Sequence, residues 1–166
     1  MRSARRSAAL AWALVLAPGA LLLASGAASA CELVLSEHRS GRELARLPLA
    51  GARPEARVAF THSVLGTPVA DRYQWRHDGA GWRAHLVEER YEGDGYGLPN
   101  AAAAGETLVR TGAGWKLSLD RVVDPLVVLP LPAQRMRVAV EGRPPLLLGS
   151  LTRVSVAFAV TGCALQ

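Results

Sequence analysis

Apolar side chains recur at every second position along most of this chain. That alternation is the period of an extended strand with one face buried, and it removes helical folds from consideration. Val58, Phe60 and His62 fall on one face of such a strand, with Arg57, Ala59, Thr61 and Ser63 on the other. Val69, Asp71, Tyr73 and Trp75 alternate with Ala70, Arg72, Gln74 and Arg76. After the connection HDGAG, residues 77–81, the pattern returns with Trp82, Ala84 and Leu86 on one side and Arg83, His85 and Val87 on the other, as a hairpin requires. TLVRT and WKLSL flank Gly112 and Gly114 as a second hairpin, and RMRVAV, PLLLG and TRVSVAFAV continue the theme. The stretch DPLVVLPLPAQ, residues 124–134, carries three prolines and reads as an edge or a crossing connection. Ala101 to Ala104 offer at most one turn of helix before Gly105. The pattern predicts a single all-β domain over residues 31–166, a compact β-sandwich or partly closed β-barrel of about nine short, mainly antiparallel strands. There is no fixed-period repeat and no low-complexity linker.

Residues 1–30 do not share this pattern. Arg2, Arg5 and Arg6 precede an apolar stretch that ends in Ala28-Ser29-Ala30, the layout of a secretory signal peptide. Pro18 and Gly19 interrupt that stretch, so no stable membrane span is expected after cleavage. The formal charge of +5 comes from 19 basic and 14 acidic residues; without the three arginines the balance is 16 to 14, or +2. A nucleic-acid or acidic-membrane partner therefore has no support from net charge. Cys31 and Cys163 sit at the two ends of the remaining chain. In an exported protein they suggest one disulfide between the first strand and the last, worth about 5 kcal/mol in the chain-entropy model. Lipidation of Cys31 behind the small residues is the alternative.

The polar residues within the strand pattern are the candidate site. FTHSVLGTPVADRY, residues 60–73, places His62, Ser63, Thr67, Asp71 and Tyr73 in and around a turn at Thr67-Pro68 that lets the two halves pair as adjacent strands. His62, Asp71 and Glu88 are then expected to converge with Tyr73 and Tyr91 at one end of the sheet and to bind a small polar ligand. A core histidine at position 62, paired to a carboxylate or carbonyl, is the plainer reading. Glu89 is expected at a solvated strand end in a surface ion pair. His62 and Ser63 are strand neighbours whose side chains point to opposite faces, which disfavours a direct relay between them. His62, His85, Asp71, Glu88 and Glu89 are donors that zinc accepts, but no His-x-His or His-Glu-x-x-His spacing is present, so neither a metal site nor a cofactor is expected. In GDGYGLP, residues 93–99, glycines permit positive backbone angles and Tyr96 offers a flat amphipathic contact surface.

Cys-x-Leu-Val at position 31, FTHSVLGTPVADRY and EERYEGDGYGLP (residues 88–99) together resemble the DUF1850 family of bacterial domains of unknown function. The most specific part is His62 to Val69. Asp71 stands where the family usually has Glu, and Tyr96 where it has Ala. The resemblance spans nearly all of residues 31–166 and implies a small exported protein of the kind often encoded beside tripartite ATP-independent periplasmic (TRAP) transporters of the TAXI type. Two function classes follow. One is a noncatalytic accessory protein that contacts a TRAP membrane or solute-binding subunit, or a small polar solute. The other is a small periplasmic hydrolase or metalloenzyme using His62 with nearby carboxylates.

Overall fold

The structure is a computed structural model and describes residues 31–50, 53–112 and 114–165. The expected signal peptide lies outside the described residues. Among the described residues eleven strands form two antiparallel sheets stacked as an open sandwich, so the barrel alternative does not hold. In chain order they are β1 (Glu32–Glu37), β2 (Glu43–Pro48), β3 (Glu55–Thr61), β4 (Pro68–His77), β5 (Trp82–Tyr91), β6 (Thr107–Thr111), β7 (Gly114–Val123), β8 (Leu126–Val128), β9 (Arg137–Ala139), β10 (Leu146–Leu147) and β11 (Val156–Thr161). The smaller sheet runs β2-β1-β11-β8 and the larger β10-β9-β3-β4-β5-β7-β6.

The sequence alternation becomes the interior of this sandwich. Ala56 and Val58 of β3, Val69, Tyr73 and Trp75 of β4, and Ala84 and Leu86 of β5 are buried against Leu33, Leu35, Val156 and Phe158 of the smaller sheet. Fully burying a Leu or Val is worth roughly 1.5–3 kcal/mol, so this shared interior is the main force holding the sheets together. The intervening arginines face solvent. Cys31 and Cys163 are joined by a disulfide across 132 residues, beside the β1–β11 pair in which Glu32 lies opposite Thr161. With its sulfur in that bond, Cys31 has no thiol for a lipid.

The prolines of residues 124–134 do what was expected of them. β8 is a three-residue edge strand, and the chain then crosses to the other sheet through a 3-10 turn at Pro132–Gln134. Ala101–Ala104 form no helix and lie in an exposed loop, closed by a hydrogen bond from the Glu106 amide to the Ala103 carbonyl.

One irregularity positions the site. Arg72 of β4 lies opposite Glu88, but Tyr73 lies opposite Leu86, so Val87 is an extra residue in β5. A bulge of this kind shifts the side-chain alternation by one. Beyond it, Glu89 and Tyr91 turn inward and Glu88 turns outward.

Candidate functional site

The loop between β3 and β4 is built by its own sequence. Gly66 takes φ +69°, its amide donates to the His62 carbonyl, and the His62 amide donates to the Thr67 carbonyl. The His62 ring closes the turn by accepting from the Val64 and Leu65 amides at Nδ1, 3.3 and 3.2 Å away. His62 is therefore a half-buried turn-capping residue just past the end of β3, not a core histidine. Ser63 is exposed, with no hydrogen bond to an imidazole among the described residues.

The expected meeting of His62 with Asp71 does not occur. Asp71 is opposite Val58, four residues back along β3 from His62, which at the rise of an extended strand is about 13 Å. Glu88 is also absent from the group. It faces outward, where Arg90 bonds it at 2.7 Å and Arg72 lies 3.6 Å away. Burial pushes the Glu88 carboxyl up, but Arg90, Arg72 and Lys116 together hold it below the usual range.

Glu89 takes its place. The expectation of a solvated Glu89 fails because the Val87 bulge reverses the face, and Glu89 lies directly opposite Asp71 on the inner side. Tyr73, buried on the same side, donates to Asp71 Oδ2 at 3.4 Å, a weak bond. Asp71 Oδ1 and Glu89 Oε2 are buried and have no hydrogen-bond partner among the described residues. Burial, then the neighbouring Glu89 charge, pushes the Asp71 carboxyl up to about 7. Burial also raises Glu89, with Arg121 opposing and Glu106 reinforcing. Both tyrosine hydroxyls are raised by burial first, Tyr73 then by Asp71 and Tyr91 by Glu89.

At the same end of the larger sheet, the two singled-out loops are joined. The Thr67 hydroxyl donates to the Glu92 carbonyl at 2.7 Å, and Leu65 packs where a Cβ on Gly93 would approach to 3.1 Å. Tyr91 donates its hydroxyl to the Pro99 carbonyl, and Trp115 Nε1 donates to Asp94 Oδ1 at 3.0 Å. The first residue of β7 lies so close that a Cβ on Gly114 would fall 2.2 Å from the Tyr91 carbonyl oxygen. On this braced platform Tyr96 holds φ +52°, a conformation non-glycine residues seldom adopt, and is 71% exposed; Val64 of the other loop is 62% exposed.

The remaining candidates lie elsewhere. His85 pairs with Asp120 at 2.7 Å on the outer face, and His77 accepts from the Gly79 amide in the β4–β5 turn. No three His, Cys, Asp or Glu side chains group as a metal ion would require, among the described residues.

An open two-sheet β-sandwich with one end carrying a braced loop pair above an inward carboxylate pair is thus the class of domain these residues define. The chain belongs to the family described as a domain of unknown function (DUF1850), whose model matches residues 57–146. The match runs from β3 to β10 and contains both loops and both carboxylates, while the smaller sheet's β1, β2 and β11 lie outside it. No curated protein and no solved structure matches the chain.

Proposed function

We propose that this chain is an exported, noncatalytic accessory protein that contacts a subunit of a TRAP-type (TAXI) solute uptake system through its loop end. The observation that carries this reading is the loop pair itself. Thr67 bonds the first loop to the second at the Glu92 carbonyl, Tyr91 and Trp115 brace the second at Pro99 and Asp94, and the pair holds Tyr96 and Val64 out in water. A rigid, exposed aromatic is the residue type that anchors protein contacts at low entropic cost.

The association with uptake rests on what the DUF1850 resemblance implies, and the disulfide suits an oxidising compartment. Of the two expected partners, a protein subunit fits the site better than a small polar solute. Four clefts among the described residues do not include Asp71, Tyr73 or Glu89, and the one at the loop end, beside Tyr91, Glu92 and Trp115, is only about 160 Å³. The hydrolase reading lacks a paired nucleophile and base at Ser63.

The test is capture of the full-length protein, tagged at its C-terminus, from its native cell envelope, with mass spectrometry of what accompanies it. Transporter subunits should be enriched over an untagged control. Tyr96→Gly, which removes the ring at a backbone angle that glycine prefers, should lose most of that enrichment while remaining folded. Equal enrichment with the variant, or none with either protein, contradicts the reading.

A further inference from the structure

We infer that Asp71 and Glu89 form a single proton-binding unit: the folded sandwich holds one proton for the two carboxyls, resident on Asp71, and its loss loosens the loop end of the molecule. The geometry comes first. The two residues are directly opposite one another on adjacent strands, both inward, and like charges in that arrangement oppose each other. Each has a buried oxygen without a partner, and an ionised carboxylate so placed is costly.

The groups around the pair leave that cost standing. On β4, Tyr73 gives Asp71 one long hydrogen bond. On β5, Tyr91 spends its hydroxyl on the Pro99 carbonyl. On the β7 side the charge of Arg121 reaches Glu89, but its guanidinium is committed to Glu106 through two of its nitrogens. Arg110 of β6 lies over the Trp115 ring, 5.1 Å from its centre, and Asp94 binds the indole of the same residue. Val58 of β3 and Val138 of β9 are apolar, and the facing sheet contributes Leu33, Leu35, Val156 and Phe158. None of the four clefts found among the described residues is lined by either carboxylate. Burial and the Glu89 charge accordingly hold the Asp71 proton up to about pH 7.

The link to the loops is short. Asp71 is three residues from Pro68, where the first loop joins β4, and Glu89 is three from Glu92, whose carbonyl receives the Thr67 bond. When Asp71 releases its proton to solvent, two adjacent buried charges favour separation of these strand ends and entry of water.

Raising the Asp71 value in the folded state means that the folded chain binds more protons than the unfolded chain between pH 4 and 7. Its stability contribution is complete below the unfolded value of 3.8 and is lost as pH rises through 7. Urea unfolding of the whole oxidised protein at intervals from pH 4 to 9 should show a midpoint that falls up to pH 7 and then levels. Asp71→Asn should remove most of that fall, and Glu89→Gln part of it, because burial remains. In hydrogen exchange, corrected for intrinsic rates, the Gly66 and Leu98 amides of the wild type should lose protection at least severalfold between pH 6 and 8, and those of Asp71→Asn should not. Parallel pH profiles for wild type and Glu89→Gln, or loop protection that does not change with pH in the wild type, overturn the proposal, and neither result depends on Asp71→Asn folding.

Discussion

The two faces of the larger sheet treat the same chemical group in opposite ways. On the outer face Glu88 meets Arg90 and Arg72 and is held ionised; on the inner face Asp71 and Glu89 meet each other, with Arg121 turned to Glu106. Glu88 and Glu89 are adjacent in sequence and identical in chemistry. Which of the two faces inward is set by the strand register at the Val87 bulge, so position relative to the pleat determines whether burial or neighbouring arginines dominate a carboxyl's proton affinity.

Removing the inner charge should have the largest effect. Asp71→Asn is expected to raise stability at pH 8 by about 2–4 kcal/mol, the upper figure corresponding to the roughly three-unit displacement at 1.36 kcal/mol per unit. Below pH 4 the variant and wild type should converge, because the wild-type carboxyl is then protonated whether folded or not. Urea midpoints at the two pH values check both statements. A smaller effect should follow from Tyr91→Phe, which leaves the Pro99 carbonyl without its donor and the ring still packed. About 1 kcal/mol of stability is expected to be lost, together with exchange protection in residues 93–99. On the outer face, Glu88→Gln should cost at most about 1 kcal/mol, and the difference should shrink in high salt, as for other solvent-screened ion pairs. If Glu88→Gln instead matched Asp71→Asn in size and sign, the contrast between the faces would be lost. The smallest change is expected from Tyr96→Gly, where relief of the positive φ and the added freedom of glycine in the unfolded chain nearly offset, leaving stability within about 1 kcal/mol.

The fold was legible because alternation is a local signal: β3, β4 and the start of β5 place on each face the residues that period two assigns to it. The hairpin turns were legible for the same reason, with Gly66 and Gly79 supplying positive φ where the chain reverses. Asp71, Tyr73 and Tyr91, expected together at one end of the sheet, lie on the inner side of β4 and β5, where Tyr73 bonds Asp71 and Tyr91 bonds Pro99 instead. Glu89 was missed because a bulge leaves no mark in sequence when the extra residue is a valine among apolar neighbours. His62 had the right parity but the wrong neighbourhood, since β3 ends one residue earlier and its ring serves the turn. The bond from Thr67 to Glu92 spans 25 residues and rests on strand order, which no local pattern encodes.

Carboxyl carbon shifts of the labelled, folded protein, followed by NMR from pH 3 to 9, test the central contrast most directly because they read each group by itself. Three separated curves are expected: Glu88 below the ordinary glutamate value, Glu89 above it, and Asp71 with its midpoint near pH 7. An Asp71 midpoint near 4, with Glu88 and Glu89 titrating together, would contradict it and return both glutamates to the role of solvated surface charges.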